Sequence, residues 1–130
     1  EVTVGFVGET VLPVIEIRPA EGTYDYEAKY ERNDTQYLVP APLEPEEEAA
    51  IVATARNAYQ VLGGRHFGRV DLRLPDSGDP VVLELNPIPG FTATSLMPKA
   101  AAALGIDFPS LCVLILNQAE LSFSYGQNKT

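Results

Sequence analysis

The stretch from Arg69 to Asn86 constrains this chain more than any other. In Arg69-Val70-Asp71-Leu72-Arg73-Leu74 the polar residues hold the odd positions and the apolar ones the even positions, the alternation of a strand with one buried face. In Val81-Val82-Leu83-Glu84-Leu85-Asn86, Leu83 and Leu85 point one way and Glu84 and Asn86 the other. A turn centred on Ser77-Gly78 folds the two runs into a hairpin, with Asp71 opposite Glu84 and Arg69 opposite Asn86. Sliding the register by two residues sets Asp71 against Asn86 instead, yet Asp71, Glu84 and Asn86 stay on one face.

Two carboxylates directly opposite each other destabilise a sheet and call for a compensating cation. Asp71, Glu84 and Asn86 offer only hard oxygen donors, which suits Mg²⁺ or Mn²⁺ and not zinc or copper. Three protein ligands leave coordination positions for phosphate oxygens and water. A two-stranded ribbon with one hydrated polar face gives the same pattern without a metal. On the residues alone both readings stay open.

The rest of the chain reads as an α+β domain. Residues 2–7 and 12–17 are β-rich and, separated by Gly8-Glu9-Thr10, predict a hairpin. Residues 19–36 are polar and aromatic without a period, a long loop of the kind that is usually functional. A short strand at 37–40 precedes a helix over 45–62, with Glu46, Glu47 and Glu48 in its first turn, where negative charge suits the dipole. Val52, Ala55, Tyr59 and Leu62 are its expected buried stripe, and Gly63-Gly64 its stop. Two more helices are expected at 95–104 and 109–119, and residues 121–130 read as a frayed tail.

Composition narrows the function. The 130 residues amount to about one domain, and a net charge of −9 with a pI near 4.4 argues against a general nucleic-acid or anionic-membrane binder. A local anion site is not excluded. The single cysteine, Cys112, rules out an internal disulfide framework and a multi-thiolate zinc site, and its apolar surroundings predict a buried structural thiol. His66 has no partner histidine and reads as a loop residue. No apolar stretch approaches the roughly 20 residues of a membrane span, so a soluble, reducing, cytoplasmic setting is the default expectation. The chain starts at Glu1 and runs straight into a strand, which reads as a piece cut from something longer.

Four motifs, in order and spacing, resemble one family. Phe67-Gly68-Arg69-Val70-Asp71, then Leu83-Glu84-Leu85-Asn86-Pro87-Ile88-Pro89-Gly90-Phe91-Thr92, then Ser95-Leu96-Met97-Pro98-Lys99 are similar to the C-terminal catalytic segment of D-alanine-D-alanine ligases. Upstream, Tyr24-Asp25-Tyr26-Glu27-Ala28-Lys29-Tyr30 resembles the ω-loop of these ATP-grasp enzymes, and Glu1-Val2-Thr3-Val4-Gly5 the strand that opens this part of the nucleotide site. The resemblance covers about residues 1–118, leaving 119–130 as a tail. It implies the C-terminal part of an ATP-grasp fold, an antiparallel sheet with flanking helices.

The resemblance also implies roles. Asp71, Glu84 and Asn86 match ligands of two Mg²⁺ or Mn²⁺ ions, and Arg69 an arginine that supports the transferred phosphate and the tetrahedral intermediate. Lys29 matches a loop lysine on the γ-phosphate and Tyr30 a tyrosine that helps close the loop. Gly90 matches the backbone oxyanion site, and Ser95 and Leu96 the positions holding the second substrate's carboxylate at a helix start. Glu1 matches a residue near the ATP ribose; Leu83 could pack toward adenine, although a plain core role fits it better.

The implied reaction joins two D-alanines through an acyl-phosphate, with ATP consumed, for peptidoglycan precursors. Pro87 stands where many members carry threonine, which leaves the second amino acid open. The N-terminal part of such an enzyme lies outside these residues, so the chain by itself is expected not to turn over. The full-length enzyme could be a homodimer. The rival reading is a non-catalytic acidic module holding a structural cation at Asp71 and Glu84; Lys29 and Arg69 speak against it, since such a site has no use for cations aimed at it.

Overall fold

The computed structural model describes residues 1–19 and 35–120. The expected loop over most of 19–36 and the tail at 121–130 lie outside the described residues. The elements in chain order are β1 (Val2–Val7), β2 (Thr10–Val11), β3 (Ile15–Arg18), β4 (Gln36–Leu38), α1 (Pro45–Val61), β5 (Phe67–Arg73), β6 (Val81–Asn86), α2 (Leu96–Ala103) and α3 (Phe108–Leu116). Among the described residues the strands form one antiparallel sheet in the order β4-β3-β1-β5-β6, with β2 also on β1.

Strand β1 is buried throughout because helices cover both faces of the sheet at its centre. Its even residues Val2, Val4 and Phe6 join Val70 and Leu72 of β5 against Ile51, Ala55 and Tyr59 of α1. On the opposite side Leu12 and Ile15 pack with Met97, Ala100 and Ala101 of α2 and Leu111 of α3. Each fully buried Ile or Leu contributes about 1.5–3 kcal/mol relative to exposure. Lys99 of α2 lies over the Tyr37 ring at 5.4 Å and ties the helix to β4.

The expected hairpin over 2–7 and 12–17 is split. Thr10–Val11 returns along the end of β1, with Phe6 opposite Val11, and Ile15–Arg18 pairs only with its beginning, with Val2 opposite Glu16. Pro13 lies between them, and a residue without an N–H cannot continue a ladder.

Helix α1 starts as its residues dictate. Pro45 occupies a first-turn position, and the Glu44 N–H donates to the Glu47 carboxylate at 3.2 Å. It ends where Gly63 turns to φ +75°, with Gly64 N–H bonded to Tyr59 O (2.7 Å) and Gly63 N–H to Gln60 O (3.0 Å), the paired bonds of a Schellman stop. The buried stripe is Ile51, Ala55 and Tyr59, at steps of four, with Val52 only half-buried. Leu62 is not part of it: it is the cap residue beyond the last turn and is 62% exposed.

Helix α3 begins at Phe108, where the Asp107 carboxylate accepts from Ser110 N–H at 2.8 Å, and stops at Leu116, three residues short of the expected end. Its buried residue is Leu111. Cys112, one residue on and therefore rotated away from the core, is half-buried and not the core thiol expected. Among the described residues no single helix is long and apolar enough to cross a membrane.

Candidate functional site

The odd residues of β1 and β5 share the sheet face away from α1. Register sets Thr3 opposite Asp71 and Gly5 opposite Arg69 on one side of β5, and Asp71 opposite Glu84 and Arg69 opposite Asn86 on the other. Two rows therefore cross three strands: Thr3-Asp71-Glu84 and Gly5-Arg69-Asn86. The pairing expected from the turn at Ser77-Gly78 is the one observed.

Beyond Asp71 the ladder slips, with Leu72 opposite Val82, so that Leu83 is the extra residue of a bulge. The bulge shifts the alternation. Val82 and Leu85 pack toward the α1 core, while Leu83 is 49% exposed, so the expected core role for Leu83 does not hold.

The compensating cation is in the protein itself. Arg69 reaches along its own strand to Asp71, Nε donating to Oδ1 at 2.8 Å and Nη2 to Oδ2 at 2.9 Å, a bidentate pair. Thr3 Oγ1 donates to the same Oδ1 at 2.5 Å. Asp71 is 7% exposed. Burial pushes its pKa up, but the hydrogen bonds from Arg69 and Thr3 and the charge of Arg69 more than offset this and hold the carboxyl below its ordinary value. The Arg69 pKa is raised, first by the hydrogen bond to Asp71, against desolvation, with further help from the charges of Asp71, Glu84 and Glu1. Glu1 and Glu84 thus belong to the same electrostatic cluster, and Glu84 is exposed on it.

A carboxylate has about four lone-pair sites. On Asp71, Oδ1 takes Thr3 and Arg69 Nε and Oδ2 takes Arg69 Nη2, leaving one position on Oδ2. One cation contact there, beside the exposed Glu84 carboxylate and the half-buried Asn86 amide, fits an oxygen-only set for Mg²⁺ or Mn²⁺. Among the described residues no cluster of three or more His, Cys, Asp or Glu side chains could hold a metal, so the amide is needed to complete the trio.

Arg69 also borders a crevice with no room for water, lined by Thr3, Gly5, Ile15, Leu96 and Met97, which brings the start of α2 beside it. A Cβ at Gly90 would come within 3.7 Å of Ser95 Oγ, so these two are neighbours as well. The Ser95 hydroxyl accepts from Thr92 N–H (3.0 Å) and bonds Thr92 Oγ1 (2.9 Å), which turns it back into the loop and fixes its direction.

The structure therefore gathers Glu1, Arg69, Asp71, Glu84, Asn86 and Leu96 on one side of the sheet, with Gly90 and Ser95 at the helix start next to it. Lys29 and Tyr30 lie outside the described residues. Thr3 and Thr92 were missed by sequence reasoning. Thr3 could have been found by pairing β1 with β5, where it falls opposite Asp71.

Comparisons with known proteins match this arrangement. The family model described as "D-ala D-ala ligase C-terminus" matches residues 1–117. The D-alanine--D-alanine ligase of Methylacidiphilum infernorum is 50% identical over 116 residues, which are 89% of this chain and 38% of that protein. The D-alanine--D-alanine ligase of Bacillus anthracis superposes with a TM-score of 0.76 at 33% identity, over 90% of this chain and 38% of its own, and its complex with ATP gives 0.74 at 28%. The VanG D-Ala:D-Ser ligase of Enterococcus faecalis also gives 0.76, at 32% identity over 90% of this chain and 35% of its own. The chain spans under two fifths of the length of these relatives. Its sheet and helices are those of the C-terminal part of an ATP-grasp ligase, and the chain belongs to the D-alanine-D-alanine ligase C-terminal family.

Proposed function

We propose that this chain supplies the metal-binding and acceptor-substrate side of an ATP-dependent ligase that joins two D-alanines for cell-wall precursor synthesis. The observation that carries the reading is the patch of Arg69, Asp71, Glu84 and Asn86 on one sheet face, set beside the start of α2 at Ser95 and Leu96. The solved relative with ATP bound supports nucleotide use.

Asp71, Glu84 and Asn86 would hold Mg²⁺ or Mn²⁺, which supplies charge neutralisation for the triphosphate. Arg69, its fork fixed by Asp71, presents a permanent positive charge where an acyl-phosphate and then a tetrahedral intermediate gather negative charge. Gly90 lets main chain approach the reacting carbonyl, and Ser95 and Leu96 receive the carboxylate of the second amino acid at the N-terminus of α2. Lys29 would reach the γ-phosphate and Tyr30 would help exclude water, while Glu1 and Leu83 border the nucleotide, Leu83 through its half-exposed side chain. The protein contributes positioning and charge, with no covalent nucleophile.

The similarity to a D-Ala:D-Ser ligase equals that to a D-alanine--D-alanine ligase in superposition, so a second amino acid other than D-alanine is the alternative. The test is a chimera in which this chain replaces the matching segment of the Methylacidiphilum infernorum relative. Phosphate release dependent on a D-amino acid, lost in Glu84→Gln, is expected. A folded chimera that binds MgATP yet releases no phosphate with D-alanine or D-serine overturns the reading.

A further inference from the structure

A serine just before a helix ordinarily accepts a hydrogen bond from that helix's own second or third N–H. Ser95 holds this position on α2 and makes no such bond. Pro98, third in the helix, has no N–H to offer, so the donors left at this end of α2 are the N–H groups of Leu96 and Met97. The hydroxyl that would cap the helix is held by the preceding loop instead.

Three bonds join Ser95 to Thr92. Ser95 N–H donates to Thr92 O at 2.9 Å, Thr92 N–H donates to Ser95 Oγ at 3.0 Å, and the two hydroxyl oxygens lie 2.9 Å apart. Thr92 Oγ1 is in turn 3.3 Å from Thr94 Oγ1. The first two bonds use the main chain of Thr92 and hold the turn whatever side chain stands there. Phe91 pins the same loop to the body of the domain, its ring 6.4 Å from that of Phe67 and 5.3 Å from that of Phe108 between centroids. The hydroxyl–hydroxyl bond is therefore not needed for the turn, and its polarity decides what Ser95 shows to a ligand.

A serine hydroxyl has one hydrogen and two lone pairs. Thr92 N–H fills one lone pair of Ser95. With the Ser95 hydrogen given to Thr92, a single lone pair remains and Ser95 can only accept. With the Thr92 hydrogen given to Ser95, both lone pairs are filled and the Ser95 hydrogen points to an acceptor outside the loop. A carboxylate offers lone pairs only, so it selects the second arrangement. Thr94 then donates to Thr92, Thr92 to Ser95 and Ser95 to the carboxylate, each bond polarising the next.

We infer that Thr92 is a positioning residue for the acceptor amino acid. Resting on the ligase reading above, its hydroxyl donates to Ser95 and so makes the Ser95 hydroxyl a donor to the carboxylate of the second amino acid, beside the uncapped N–H groups of α2. Thr94 supports it from one step further out.

The test is the steady-state kinetics of the chimera carrying Thr92→Val or Thr92→Ser. Valine keeps the β-branched shape and both main-chain bonds, and Thr92 is exposed, so the fold is retained. Thr92→Val should raise the KM for the second amino acid about fivefold, the scale of one net hydrogen bond, with the KM for ATP unchanged. Thr92→Ser should restore it. D-Alanine saturation of phosphate release, fitted to two sites, gives the first value. A second-site KM that stays put in Thr92→Val, a KM for ATP that rises in step with it, or no rescue by serine overturns the inference. An unsubstituted chimera that releases no phosphate overturns the ligase reading and this inference with it, a result distinct from an active chimera indifferent to Thr92→Val.

Discussion

Arg69 and Asp71 sit two residues apart on one strand and are joined by two parallel hydrogen bonds of 2.8 and 2.9 Å. The arginine side chain is 16% exposed and the aspartate 9%, so each is the other's main compensation for lost water. Removing one partner strands the other. Asp71→Ala should therefore destabilise the chain by about 3 kcal/mol, at the low end for a broken buried pair. Arg69→Lys, which keeps the charge but loses the fork, should cost less, about 1–2 kcal/mol. Urea unfolding followed by circular dichroism measures both; equal losses would show that the fork geometry and not the charge holds the pair.

The same pair sets an acid sensitivity. The Asp71 carboxyl titrates below its ordinary value of 3.8, so the folded state binds its proton less readily than the unfolded chain. Its contribution is fully present above the unfolded value and is lost as pH falls through the folded one. Urea midpoints should drop on acidification below about pH 4, and Asp71→Asn, less stable at neutral pH, should show a shallower drop.

Thr3 should matter as much to the pair as to the strand. Thr3→Val keeps the shape and β-branching but takes one hydrogen bond from the buried carboxylate. A loss of about 1–2 kcal/mol is expected, together with an upward shift of the Asp71 pKa observable by carboxyl-carbon NMR.

Helix α1 offers a contrast within eleven residues. Ile51 is fully buried between the helix and the sheet, and Ile51→Ala should cost about 2–5 kcal/mol through lost transfer energy and an unfilled cavity. Leu62, at 62% exposure, should change stability by no more than about 0.5 kcal/mol when replaced by alanine. Thermal unfolding of the two variants side by side checks the ordering.

Gly68→Ala tests the seat of Tyr59. The added Cβ would lie 2.9 Å from the tyrosine ring and 3.3 Å from the Asn86 carbonyl oxygen, so the ring or the β5-β6 ladder must shift. Overpacking of this kind costs about 1–3 kcal/mol, and broadened Tyr59 ring signals should accompany it.

How far the residues spoke for themselves differed from place to place. Asp71, Arg69, Glu84 and Asn86 were legible as one face because polar and apolar positions alternate strictly through 69–74, but the turn centre alone does not fix their pairing, since Leu72 opposite Val82 and Arg73 opposite Val81 are offset from it by the bulge. The bulge at Leu83 was not: Val81-Val82-Leu83 is apolar throughout and carries no phase to reveal a slip. Pro13 did carry a signal for the break in the second strand run, from chemistry local to that residue. The hold of Thr3 on Asp71 spans 68 positions and depends on which strands become neighbours, which local pattern does not contain. The buried stripe of α1 was half read, with Ala55 and Tyr59 found and Ile51 passed over, because Ile51 and Val52 are adjacent and only the packed sheet chooses between them.

On the reading proposed above, Asp71, Glu84 and Asn86 form a cation site that works with a nucleotide. Paramagnetic broadening by Mn²⁺, followed by NMR on the 130-residue chain with and without ATP, tests it most directly. Broadening centred on these three residues, strengthened by ATP and lost in Glu84→Gln, is expected. Broadening that spares the three residues, is indifferent to ATP, or persists unchanged in Glu84→Gln would contradict it.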